Sequence, residues 1–99
     1  YAELARRAPS PVIELNRAVA VGMAQGPEAG LAIADRLVGE PALKSYHLLG
    51  SVRGDLLHRL GRFGEARAAL EAAAGLAVND RERELLQRRA AEAAALSRP

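Results

Sequence analysis

Apolar residues recur every three or four positions along this chain, in five segments separated by proline and glycine. Such spacing places apolar side chains on one face of an α-helix, whereas a half-buried strand would alternate apolar and polar residues. No stretch alternates in that way with β-branched residues. The pattern therefore predicts an all-α protein, with helices over residues 11–25, 27–38, 42–60, 63–76 and 80–96.

Residues that favour helix starts mark the boundaries of these segments. Ser10 precedes a proline, so its hydroxyl can cap a helix whose first position needs no amide hydrogen. Asn79 or Asp80 is expected to cap the last helix in the same way. Residues 1–8 are predicted to be the tail of a preceding helix, and residues 10–97 the domain itself.

Two helices are expected to bury a defined face. In the first helix, spacings of three and four predict an inner stripe of Val12, Leu15, Val19 and Met23, with Ala18 and Ala20 alongside. The last helix is predicted to cap the end of a helical repeat. Its inner side is expected to hold Leu85, Leu86, Ala90 and Ala93, and its outer side Arg81, Arg83, Arg88 and Arg89.

The chain also repeats itself. A Glu-Ala pair ending at Ala29 returns at Ala66, 37 residues later, and repeats of this length are typical of stacked helix pairs. The second unit follows the spacing of the tetratricopeptide pattern, and we expect antiparallel hairpins stacked as a short right-handed superhelix. Its pattern residues are Gly54, Gly61, Phe63, Ala66, Leu70 and Ala73.

Each pattern residue has a physical role. Gly54 and Ala66 are small where the two helices of a hairpin press together, and Gly61 permits the tight turn between them. Ala29 is the equivalent of Ala66 in the first unit. Phe63 and Leu70 are expected to fill the space next to the neighbouring helices. Ala73 is small, and we expect it to let the next helix dock.

Four positions depart from the tetratricopeptide pattern. Gly50 stands where a bulky aromatic residue is usual, Arg53 where a large aliphatic residue is usual, and Val78 at the place of the closing proline. Arg17 falls on the small-residue position of the first unit. A bulky cation does not fit there, so the first helix is predicted to shift its register by one residue.

Sequence blocks along most of the chain resemble one family. The most specific block is Glu-Leu-Asn-Arg-Ala-Val-Ala-Val, within residues 10–21, and further blocks occur at 26–31, 46–49, 60–66 and 79–89. With these blocks, residues 10–91 are similar to the tetratricopeptide-like C-terminal extension of bacterial extracytoplasmic-function RNA polymerase sigma factors.

The resemblance implies a cytoplasmic regulatory domain acting in transcription initiation. Its partner would be the sigma domains of the same chain, core RNA polymerase or a regulatory protein, while promoter DNA would be bound by parts of the parent outside these residues. A helical-repeat scaffold from an unrelated regulator or chaperone partner is the alternative. A direct nucleic-acid binder is least supported, because acids interleave the arginines of the last helix and only three residues are aromatic.

The chain offers little catalytic chemistry. His47 and His58 lie three helical turns apart, with Asp55 near the second, but a metal site needs a further well-placed ligand. We therefore expect His47 to pack or hydrogen-bond and His58 to face solvent. The chain has no cysteine, Ser10 and Ser51 have no evident base, and no phosphate-binding loop occurs. We expect no enzyme activity, no cofactor, no metal and no membrane span.

A protein-binding groove is the predicted site. The first helices of tetratricopeptide hairpins line the concave side, so polar residues on those helices are the candidates. For Asn16, a structural hydrogen bond to a neighbouring backbone is the favoured alternative, and for Arg17 a pair with Glu14, Asp35 or Glu40. The candidate groove residues are Glu14, Asn16, Arg17, Ser51, Asp55 and His58.

Overall fold

The protein is all-helical over residues 10–97, the part of the chain that the computed structural model describes. No strand occurs within this range, so the predicted all-α class is confirmed. The tail predicted for residues 1–8 lies outside the described residues. The five α-helices are α1 (Pro11–Gln25), α2 (Pro27–Arg36), α3 (His47–Arg59), α4 (Phe63–Leu76) and α5 (Asp80–Leu96).

The bounds of α1, α4 and α5 coincide with the predicted ranges, whereas α2 and α3 are shorter than predicted. After α2, the amide of Leu37 bonds to a carbonyl three residues back, so the chain turns instead of continuing to residue 38. The prediction that the third helix begins at residue 42 is wrong. A short 3-10 helix, Pro41–Leu43, comes first and buries Leu43, and α3 begins only at His47.

Two side-chain caps mark where helices begin, and a glycine follows the end of α3. The Ser10 hydroxyl accepts a hydrogen bond from the Ile13 amide at 3.2 Å, and the Asn79 side-chain oxygen accepts one from the Glu82 amide at 2.8 Å. The Asn79 amide group also donates to the Glu82 carboxylate at 3.3 Å. Gly61 has φ 77°, a left-handed conformation that permits the turn between α3 and α4.

Replacing Asn79 with Ala is expected to lower the free energy of unfolding by about 1 kcal/mol, because the Glu82 backbone amide loses its acceptor and the Glu82 carboxylate loses a donor. Urea denaturation followed by circular dichroism measures the change. The control is Ser45→Ala, in an exposed turn. Equal denaturation midpoints for the two variants would contradict a stabilising cap at Asn79.

Helices α1 and α2 touch backbone to backbone. A Cβ atom on Gly30 would lie 2.6 Å from the carbonyl oxygen of Ala18 and 2.8 Å from the Cα of Gly22. Ala18 is fully buried and directly follows Arg17, as the predicted register shift requires. Ala29 is half-buried, so the small residue at the closest approach is Gly30 and not the predicted Ala29.

Helices α3 and α4 also pack closely. A Cβ atom on Gly54 would lie 2.6 Å from the Cγ of Leu70, and one on Gly50 would lie 3.0 Å from the Cβ of Ala73. The contacting residue numbers rise along α3 and fall along α4, so the two helices are antiparallel. The departure at Gly50 also has a reason: α4 approaches too closely there for an aromatic side chain.

Two groups of buried apolar residues form the core. The larger lies mainly among α1 to α4 and includes Leu57 and Ala66, each at most 1% exposed. The smaller lies between α4 and α5 and includes the pattern residues Leu70 and Ala73. Phe63 is only half-buried. The remaining members of the smaller group are Ala74, Ala77, Leu86 and Ala90.

The inner face of α1 differs from the prediction. Of the predicted stripe only Leu15 is buried, whereas Val12, Val19 and Met23 are 43%, 40% and 76% exposed. The buried residues of α1 are Leu15, Ala18 and Gly22. Small residues of α1 face α2 because the backbone contact at Gly30 leaves no space for larger ones. With α1 rotated in this way, its larger side chains point outward.

In α5 the predicted inner face is correct except at Leu85. Leu86, Ala90 and Ala93 are buried at spacings of four and three, which places them on one side of the helix. Leu85 lies about 100° around the helix from Leu86 and is half exposed. Arg89, predicted on the outer side, instead reaches back to α3.

Candidate protein-binding groove

An open groove of about 710 Å³ runs across one side of the helices, and α1, α3 and α5 supply its lining. Helices α2 and α4 contribute no residue to this lining. Eight residues line the groove: Val19 and Met23 from α1, Ser51, Val52, Asp55, Leu56 and Arg59 from α3, and Arg89 from α5.

One wall of the groove is apolar. Val19 and Met23 are one helical turn apart on α1 and are both exposed. Val52 and Leu56 on α3 continue the apolar surface; the first is half-buried and the second belongs to the core. A partner side chain that covered Met23 would remove apolar surface from water on both molecules.

The other wall is polar and carries a net positive charge. Arg89 Nη2 lies 3.1 Å from Asp55 Oδ1 and joins α5 to α3 across the groove. Both side chains are about a third or more exposed, so water weakens this ion pair. Arg59, one turn beyond Asp55, is exposed and forms no ion pair within residues 10–97. Two arginines and one aspartate therefore leave one positive charge in excess.

Two of the six predicted groove residues, Ser51 and Asp55, line the groove. Glu14 and Arg17 do not. Arg17 Nη2 lies 3.2 Å from Glu14 Oε2, so the two side chains pair with each other along α1, which was one of the three alternatives for Arg17.

The other two predicted residues, Asn16 and His58, are also outside the groove. Asn16 is exposed, and its side chain forms no hydrogen bond to a neighbouring backbone within residues 10–97. His58 is half-buried rather than solvent-facing. Its ring packs edge-on against Phe63 with the ring centres 5.1 Å apart.

The sequence did not identify six of the eight residues that line the groove: Val19, Met23, Val52, Leu56, Arg59 and Arg89. Val19 and Met23 were assigned to the core, because helical spacing shows which residues share a face but not which face is buried. Arg59 follows Asp55 by four residues, a spacing that indicates a common helix face. Arg89 carried no such signal, because its position depends on how α5 packs.

His47 fulfils the predicted hydrogen-bonding role. Its Nε2 atom lies 2.7 Å from Glu82 Oε1, and its side chain is 15% exposed. Because Glu82 also bonds to Asn79, the contact ties the first turn of α5 to the first turn of α3. Within the described range, no group of three or more histidine and acidic side chains is placed to hold a metal ion.

A second electrostatic feature lies at the turn before α4. Arg62 Nε and Glu65 Oε2 are 2.6 Å apart, and this hydrogen bond lowers the pKa of the Glu65 carboxyl. Both side chains are about half exposed and neither lines the groove. None of the helices within residues 10–97 has the length and apolar content needed to cross a membrane.

Comparisons with known proteins give one relative. The chain is 50% identical over 82 residues to an uncharacterized protein of Rhizobium meliloti (strain 1021). The match covers 83% of this chain and 19% of that protein, so the chain spans about a fifth of the length of this relative. No protein-family model matches the chain, and no solved structure matches it significantly.

Proposed function

We propose that this chain is a tetratricopeptide-like domain whose groove binds a segment of another protein. The supporting observation is which helices line the groove: α1, α3 and α5 contribute residues, whereas α2 and α4 contribute none. In stacked helical hairpins the first helix of each pair lines the concave side. Here α1 and α3 are the first helices of two hairpins, and α5 occupies the next position in that order.

The stacking itself is part of the proposal. A right-handed superhelix of two hairpins would leave an apolar side of α4 uncovered at its end. Helix α5 covers that side, because Leu86 and Ala90 pack with Leu70 and Ala73 of α4. This contact supports the role of α5 as a capping helix.

We further infer that the parent is a bacterial extracytoplasmic-function sigma factor and that the domain regulates transcription initiation in the cytoplasm. The sequence block within residues 10–21 supports this assignment through its resemblance to that family. The partner would then be the sigma domains of the parent, core RNA polymerase or a regulatory protein. The competing proposal is a helical-repeat scaffold from an unrelated regulator, which would use the same groove.

A reconstitution with the full-length parent and purified core RNA polymerase separates these two proposals. A sigma factor is expected to form a complex with the core enzyme and to start transcription at a specific promoter. If the parent neither binds core polymerase nor directs initiation, the sigma assignment is wrong and the scaffold proposal remains.

Replacing Met23 with Glu tests the groove within the parent. The substitution adds a charge to the apolar wall, and we expect promoter-specific transcription to fall by about tenfold or more, because a partner would have to bury that charge. Val78→Glu is the matched control, since Val78 is 88% exposed and lies outside the groove. Both proteins are expected to melt like the wild type. Equal activity of the two variants would contradict a role for the groove.

A further inference from the structure

We infer that the groove selects an acidic amphipathic helix, with apolar side chains against Val19 and Met23 and a carboxylate on Arg59. This inference rests on the proposed function and names the chemistry of the partner. Its basis is the arrangement of two rows of side chains and the balance of charge between them.

The two rows match the geometry of a helix. Val19 and Met23 are four residues apart on α1, and Asp55 and Arg59 are four residues apart on α3. Each row therefore advances by about 6 Å, the rise over four residues of an α-helix. A helical partner presents its own side chains at this same interval, with an apolar row beside a polar one. An extended peptide turns successive side chains to opposite faces, so it would present a single row to the groove and not two neighbouring rows.

The charges favour acidic over basic residues in the partner's polar row. Asp55 already holds Arg89 at 3.1 Å, so a lysine or arginine of the partner would have to compete for that carboxylate. Arg59 has no ion-pair partner within residues 10–97 and can bond an incoming carboxylate in two places at once. Once a partner covers the groove and excludes water, this pairing becomes stronger.

A selection from a displayed peptide library tests the inference on the full 99-residue chain. The library consists of helix-forming peptides with leucines fixed one turn apart and neighbouring positions drawn from Glu, Gln and Lys. We expect the selected peptides to carry Glu beside the leucines and to bind about tenfold more tightly than their Lys counterparts. Fluorescence anisotropy with synthetic copies of the selected peptides gives the affinities.

Charge reversal at Arg59 provides the decisive comparison. With Arg59→Glu we expect the preference to invert, so that the same selection enriches Lys. Arg88→Glu makes the same charge change on an exposed residue of α5 outside the groove, and it should leave the preference unchanged. Circular dichroism of both variants should match the wild type, because both arginines are exposed.

The peptide experiment distinguishes a failure of the acidic-partner inference from a failure of the proposed groove function. If Met23→Glu weakens peptide binding but Lys peptides bind as well as Glu peptides, the acidic partner is wrong and the groove remains the binding site. The acidic partner is equally wrong if Arg59→Glu leaves the preference for Glu intact. If no peptide is selected, or if binding is insensitive to Met23→Glu, both the inference and the proposed groove function are overturned.

Discussion

Truncating Leu70 to Ala is expected to lower the free energy of unfolding by about 3 kcal/mol. Leu70 is 1% exposed and belongs to the core group that joins α4 to α5. Its side chain also packs on Gly54 of α3. Removing it leaves a cavity between rigid backbone segments that cannot close around the gap. A domain of this size has a total stability of about 5–15 kcal/mol, so the loss is large. Urea denaturation measures it.

Leu85→Ala is the control for Leu70. The same atoms are removed from α5 at a side chain that is half exposed, and the expected change is within about 0.5 kcal/mol. Similar denaturation midpoints for the two variants would show that Leu70 is not part of a closely packed core.

Replacing Gly30 with Val is expected to cost about 3 kcal/mol or more and to separate α1 from α2. The new Cβ would lie 2.6 Å from the Ala18 carbonyl oxygen, a backbone atom that can move only if the helix moves with it. Val also brings a second branch into the same contact. Thermal unfolding followed by circular dichroism measures the loss as a lower melting temperature.

Gly75→Ala is the counterpart of the Gly30 substitution. A Cβ atom at Gly75 meets nothing within 4 Å, so the added methyl group should stabilise the helix by about 0.5–1 kcal/mol through its lower backbone entropy. If both glycine variants melt above the wild type, the close approach of α1 and α2 is not a constraint on the fold.

The helices could be predicted because local chemistry decides them. Prolines, a serine cap and an asparagine cap define where α1, α2 and α5 begin. The start of α3 could not be predicted in this way. Leu43 fits the helical spacing of the residues after it, but burial of its side chain in the core turns the chain through a 3-10 helix first. That preference exists only once the neighbouring helices are in place.

The candidate groove was predictable on one wall alone. Ser51 and Asp55 lie on the same face of one helix, and helical spacing shows this directly. The apolar wall depends on how α1 is rotated against α2, which is set by the contact between Gly22 and Gly30. Arg89 is 34 residues from Asp55, so its position follows from the packing of α5 and from no local pattern.

The small residues between the helices also affect how much order the chain must acquire on folding. Burying alanine or glycine fixes no side-chain rotamers, whereas burying leucine or methionine removes rotational freedom. The contact between Gly22 and Gly30 and the contact between Gly50 and Ala73 therefore bring main chains into van der Waals range at almost no side-chain entropy loss. Tight association of thin helices is how residues 10–97 hold a defined shape in a chain with only three Phe, Trp or Tyr side chains.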